Sequence, residues 1–347
     1  MTAIVTAGQL AVTLDQDITS IVSNEYERLN SNTWWRTVAR VRTSQSREER
    51  IHWLLNTAKI ERPNAKHGGG QAIFEELMGL YTEFENENAV AGLTLKKEQM
   101  EDLFNGIAGG AAMDAAAAWA RDIGSYAVYW PQEVVSDAIK ANPTAYDGKA
   151  FFATDHPVNP FDAGAGVYAN VFTGAASGAY PGALPIGGAD LKVAQDNLAK
   201  ARAYIGSIKM PNGKTPRRLR VASLIVPPAL MARAVELTSA KFLSGTNGPS
   251  DVEGVVRTLG LGTPVEAEEL GANFGGSDTS YYLACEPIGS PELGAFNYVE
   301  REPFNIITHS GMTSAELARK RVFQWTCEGR NTVAPGHPYL LFRCDAT

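Results

Sequence analysis

The sequence predicts an α+β protein, a packed body from which an arm and a loop extend, and three observations carry that prediction. A long helical region runs from Lys96 to about Asn142, with Met100, Leu103, Ile107 and Gly110 recurring at three-to-four residue spacing. An apolar strand, Leu219 to Val226, ends at Pro227-Pro228 and leads straight into a helix, Ala229 to Ala240; proline suits the first turn of a helix because its missing N–H has no partner there anyway. Short strand-like runs follow at Tyr281–Cys285, Phe304–Ile307, Val322–Thr326 and Tyr339–Phe342.

In chain order, residues 1 to about 48 read as an extended arm with little core of its own, broken by a short helix from Ile18 to Leu29. Trp34-Trp35 then introduces a strand, Thr37 to Arg42, in which Val and Arg alternate. From Arg47 to about Leu80 charge is dense, and the tip from Pro63 to Gly70 ends in Gly68, Gly69 and Gly70, whose conformational freedom predicts a mobile tip. Within the long helix, residues 106–118 are almost all Ala and Gly, a slim surface that admits a close neighbour, and Pro131 is expected to kink or split it. Asp190 to Ile205 is an amphipathic helix with Leu191, Ala194, Leu198, Ala201 and Ile205 on one face. Loops near Gly164–Gly188 and Gly245–Pro249 are rich in Gly, Ala, Ser and Pro and are expected at the surface.

Bulk properties narrow the function. The 347 residues suit two subdomains or one elaborate mixed domain, and 44% hydrophobic with 20% charged residues is an ordinary globular balance. A net charge of -7 argues against sequence-specific nucleic-acid binding, which normally needs a basic face. Cys285, Cys327 and Cys344 show neither CxxC spacing nor a paired His, so neither a disulfide framework nor a zinc site is expected. No secretory leader and no membrane-spanning run is read, which predicts a soluble protein made in the cytosol.

The search for chemistry finds little. The five histidines, His52, His67, His156, His309 and His337, show no HExxH or HxH spacing. Asp155-His156 is the most enzyme-like pair, but adjacent strand residues face opposite ways, so a turn-forming role before Pro157 is preferred. Three consecutive glycines lack the spacing of a phosphate cradle. Glu83, Glu85 and Glu87 alternate as if along one strand, sharing a face suited to solvent or to ion pairs between subunits. Glu266, Glu268 and Glu269 form a second acidic cluster, and Arg217, Arg218 and Arg220 the one compact basic cluster. No catalytic residue, cofactor or metal is predicted.

Several stretches carry a resemblance. YDGKAFFATDHP, Tyr146 to Pro157, resembles a signature of the Mu-like phage major head subunit family, a branch of the Hong Kong 97-type capsid fold. HWLLNTAKIE (His52 to Glu61) is similar to that family's Trp-Leu stretch in a projecting loop. LTLKKEQMED (Leu93 to Asp102) is similar to the start of its long helix, and LIVPPALMARA (Leu224 to Ala234) to a strand–Pro–helix step in its outer domain. The resemblance covers nearly the whole chain in the same order; the tip Ala65–Gly70 and the segment near Phe172–Gly188 depart from it.

The resemblance implies an N-terminal arm (1–46), an extended β-hairpin loop (47–80), a peripheral domain with a long spine helix (81–145), an axial domain (146–300) and a return to the peripheral domain (301–347). It implies a subunit that self-assembles into hexamers and pentamers of an icosahedral head around double-stranded DNA, held by proximity rather than by specific contacts. Scaffold, portal and decoration proteins are expected partners. The residues expected to contact neighbouring subunits are Arg47, Arg50, Trp53, Lys66, Gly68, Gly69, Gly70, Glu83, Glu85, Arg217 and Arg218. The competing readings are an encapsulin-like cellular nanocompartment shell and, from a different class, a metal-assisted hydrolase using Asp155 and His156.

Overall fold

A computed structural model of the protein describes residues 7–29, 33–55, 78–96, 98, 111–188, 190–239, 242–245, 248–253, 261–287, 293–309 and 322–346. The first element is helix α1 (Ala7–Leu29), followed by strands β1 (Ala39–Thr43), β2 (Glu48–Leu55), β3 (Met78–Glu85) and β4 (Glu87–Lys96). Helix α2 (Ala111–Ala141) comes next, then the short strands β5 (His156–Pro157), β6 (Val167–Tyr168) and β7 (Val171–Phe172). Helix α3 (Leu191–Ser207), β8 (Leu219–Val226), helix α4 (Pro228–Ser239), β9 (Phe242–Gly245), β10 (Gly248–Glu253) and β11 (Val265–Glu266) follow. The chain continues through β12 (Tyr281–Pro287), β13 (Phe296–Thr308), β14 (Val322–Pro335) and β15 (Leu341–Cys344).

The arm differs from expectation. Instead of an extended segment with a short helix, α1 spans 23 residues. Leu10, Leu14, Ile18, Val22 and Tyr26 recur every four residues, a helical stripe that the short alternating apolar runs disguise. Ile18 is buried, and Ile21 and Val22 pack with it against Ala116, Trp119 and Ala120 of α2. One turn further on, a Cβ at Gly124 would lie 3.0 Å from the Val22 carbonyl oxygen, so only glycine admits α1 this closely. The neighbour that α2 receives at Ala116, Ala120 and Gly124 is α1 of the same chain, while residues 106–110 of the expected Ala/Gly stretch lie outside the described residues.

Helix α2 continues unbroken through Pro131. Proline costs one backbone hydrogen bond, but Ala127, Val128, Val135 and Ile139 are buried on either side and hold the axis in place. The expected strand at Thr37–Arg42 is present as β1 from Ala39 onward, after a turn at Trp35–Thr37, and its Val41 is exposed rather than on an inward face. Tyr339–Phe342 is likewise a turn, Pro338–Leu340, that leads into β15.

Two sheets organise the body. A four-stranded sheet has the order β1-β13-β14-β4, and a five-stranded sheet the order β11-β8-β12-β15-β7. β13 bulges around Glu302, where Pro303 cannot donate to the ladder. Residues 301–347 therefore do not all return to one sheet: β14 lies in the first, whereas β15 enters the second between β12 and β7. The main core lies under the five-stranded sheet, where Leu224, Ile225 and Val226 meet Ala194, Leu198, Ala201 and Ile205 of α3 and Ala234 and Leu237 of α4. Asp190 caps α3 by accepting from the Lys192 N–H at 2.9 Å.

Candidate assembly surfaces

Arg47, Arg50, Glu83 and Glu85 are the charged members of the five expected contact residues at the paired strands β2 and β3. Arg50 faces Glu83 across the ladder, with nitrogen and oxygen 2.6 Å apart, and the Arg47 Nε donates to Glu85 Oε1 at 2.6 Å. All four side chains are at least half exposed, so each pair contributes at most ~1 kcal/mol and the charges stay available at the surface. Glu87 does not share their strand. Asn86 intervenes as a buried corner, its Nδ2 donating to Ser44 Oγ and the Ser46 carbonyl, both at 2.8 Å, and Glu87 opens β4.

Trp53 behaves differently from its charged neighbours. It is 5% exposed, and its Nε1 donates to Thr82 Oγ1 at 3.0 Å. Its ring meets His337 edge-on at 4.6 Å, and His337 in turn lies 4.9 Å from Tyr339 and 5.9 Å from Tyr146. Arg217 sits over the Tyr339 ring at 3.7 Å and Arg42 near the Trp53 ring at 5.4 Å. This aromatic clasp fixes the hairpin base to the end of β14 and to the loop before β8.

Burial first, and then the positive charges of Arg217 and Arg42, push His337 down from 6.5 to about 3. The unfolded chain then binds more proton than the folded one between those values, so stability falls as pH drops through that window, by at most ~1.4 kcal/mol per unit. A His337→Phe variant is expected to flatten the dependence of Tm on pH between 6.5 and 4, measured by thermal denaturation at a series of pH values.

The basic cluster does not converge. Arg217 is spent on Tyr339, Arg220 pairs with Glu286 at 3.0 Å, and Arg218 is exposed with a left-handed φ of 56°. In the second acidic cluster Glu269 is a strut, accepting from Trp34 Nε1 at 2.9 Å and Gln132 Nε2 at 2.6 Å. Lys66, Gly68, Gly69 and Gly70 lie outside the described residues.

The segment Tyr146–Pro157 folds back on itself. Its two enzyme-like residues part company: Asp155 is exposed and pairs with Lys149 at 2.5 Å, while His156 is fully buried. His156 Nδ1 is 2.6 Å from Asp147 Oδ2 and Nε2 is 3.0 Å from the Phe151 carbonyl oxygen, with the Tyr168 ring stacked at 5.2 Å. The Asp147 side chain is 1% exposed, so this pair is sealed from any substrate. Asn170 completes the knot: its Nδ2 donates to the carbonyls of Phe151 and Pro338, and its Oδ1 accepts from the Ala153 N–H. Sequence reasoning passed over Asp147, Asn170 and His337, because each depends on a partner brought in by the fold.

Among the described residues no group of three or more His, Cys, Asp or Glu side chains is placed to hold a metal ion, and no helix is long and apolar enough to cross a membrane. An apolar cavity of about 320 Å³ lies between α1, α2 and β13, lined by Val22, Tyr26, Pro131, Tyr298 and Phe304. The Cys327 thiol at its wall is pushed up to about 11 by burial, which keeps it protonated and unreactive.

Residues 14–181, a little under half of the chain, match the model of the Mu-like prophage major head subunit gpT family. No curated protein matches the chain in sequence. Among solved structures, the capsid of cyanophage P-SCSP1u is similar in fold, with a TM-score of 0.53 at 11% identity over 91% of this chain and 88% of that one. The procapsid of bacteriophage JBD30 gives a TM-score of 0.45 at 15% identity, covering 96% and 75% of the two chains. A JBD30 capsid chain gives 0.44 at 12% identity over 90% of this chain, which spans 64% of that chain's length. Residues 14–181 thus resemble the Mu-like major head subunit family, and the chain has the fold seen in a phage capsid protein.

Proposed function

We propose that the chain closes an icosahedral phage head by forming rings of six and of five copies, with double-stranded DNA packaged inside. The observation that best supports this reading is the family match over residues 14–181, which runs through the arm helix, the β2–β3 hairpin and helix α2. In this reading α2 is the spine of a peripheral domain built on the four-stranded sheet, and the five-stranded sheet is the axial domain. The clasp at Trp53 holds the hairpin base while Arg47, Arg50, Glu83 and Glu85 meet a neighbouring subunit. Lys66, Gly68, Gly69, Gly70 and Arg218 are further contact candidates, and scaffold, portal and decoration proteins complete the assembly in the virion. Many weak contacts of this kind add up through multivalency. A net charge of -7 also limits adhesion of the packaged phosphates.

Electron microscopy of the purified protein, with its mass from light scattering, tests the reading. Closed shells or rings of five or six copies are expected, and a monomer that stays monomeric with its scaffold present would overturn it. A double variant, Arg47→Ala with Arg50→Ala, separates contact from folding. Exposed pairs cost ~0–2 kcal/mol together, so Tm barely moves, whereas the assembled fraction measured by sedimentation falls severalfold.

A further inference from the structure

The two sheets end in opposite ways. The five-stranded sheet is bounded by β11 and β7, each of two residues, which leaves almost no edge for another strand. The four-stranded sheet is bounded on one side by β4, ten residues long and paired with β14 along its whole length without a bulge. Among the described strands β4 pairs with β14 alone. An open edge of this length normally carries proline, a bulge or an inward charge that blocks addition of a further strand. β4 carries none of these: from Asn88 to Leu95 it is uncharged, and Val90 is 61% exposed.

We propose that the outer edge of β4 is an interface that pairs antiparallel with β4 of a second copy of this chain, about a two-fold axis at Gly92. The proposal rests on the shell reading above, which supplies the second copy, and three features favour that partner. A two-fold axis perpendicular to the sheet keeps the faces in phase, so the exposed residues Val90 and Thr94 come opposite one another while Leu93 and Leu95 stay on the core side. In this register Lys96 comes opposite Asn88 and Glu87 lies beyond the paired residues, whereas a parallel copy in register sets Glu87 against Glu87 and Lys96 against Lys96, so the antiparallel pairing is the one that opposes no like charges. Gly92 falls on the axis, where the two backbones face each other without side chains. The result is one continuous eight-stranded sheet shared by two subunits.

The test is thiol cross-linking of full-length Gly92→Cys protein under assembly conditions, with a short bis-maleimide and imaging of the same sample. The native cysteines Cys285, Cys327 and Cys344 are all buried, so the introduced thiol is the accessible one. A Cβ at Gly92 has ordinary room, with its nearest neighbour at 3.6 Å, so the variant is expected to fold. Cross-linked dimer is expected at roughly ten times the yield of a control thiol at exposed Val41 on β1 (V41C), because pairing raises the effective concentration of the two thiols. Particles without dimer would overturn the edge pairing and leave the shell reading standing. Dimer without particles would support the edge and count against the shell. Neither dimer nor particles would overturn both, and a thiol joined to a different polypeptide would overturn the choice of partner.

Discussion

Replacing His156 with alanine is expected to lower stability by about 3–5 kcal/mol, because it leaves the Asp147 carboxylate buried without its partner. The loss extends beyond one pair. His156 Nε2 and Asn170 Nδ2 share the Phe151 carbonyl, and the Phe151 ring stacks on Phe296 at 4.3 Å, where the two sheets meet. Chemical denaturation measures the effect, and a double variant, Asp147→Asn with His156→Ala, should recover part of it by removing the stranded charge. An unchanged midpoint for H156A would show that the pair does not hold this segment. The same experiment bears on the hydrolase alternative, since a sealed His156 serves the fold and not a substrate.

The second large effect is expected at Trp325. Its ring is 1% exposed in a cluster with Ile18, Leu95, Ala116, Ala120 and Phe323, so Trp325→Ala removes the largest side chain from the seat of α1 and is expected to cost about 3–5 kcal/mol. Its Nε1 is buried without a hydrogen-bond partner. Trp325→Phe removes that unsatisfied donor along with some volume, and the two effects offset, so its cost should be about 1 kcal/mol or less. The alanine variant should also loosen α1 from α2 before the rest unfolds. Limited proteolysis is expected to cut within α1 at protease concentrations that spare the native chain.

Local rules made some elements legible in the sequence. The apolar face of α3 and the strand–Pro-Pro–helix step at Val226–Pro228 are both encoded within a few residues of where they act. The arm was harder, because Leu10, Leu14 and Ile18 satisfy a helical period while their immediate neighbours suggest alternation. Long-range pairing could not be read at all: Arg40 lies beside Asn297 and Val171 beside Arg343 only once the chain has folded. The same distance effect decided the buried pair. His156 has an aspartate beside it in sequence, yet its partner is Asp147, nine residues back, because the turn at Gly148 reverses the chain. Among the candidate contact residues, charge and a strand setting identified Arg47, Arg50, Glu83 and Glu85 as surface groups. Trp53 and Arg217 looked equivalent to them by composition, but the clasp holds both inside the chain.

The position of β15 has a consequence for synthesis. Residues 341–344 form an interior strand of the five-stranded sheet, between β12 and β7, so that sheet stays open until the ribosome has released everything up to Cys344. Pairing residue 343 with residue 171 is slow, because the chain entropy of closing so long a loop is lost before the contacts form. A nascent chain would therefore display an unfinished sheet until residue 344 has emerged. On the proposed shell reading, a subunit whose second sheet closes only with β15 folds before it joins other copies.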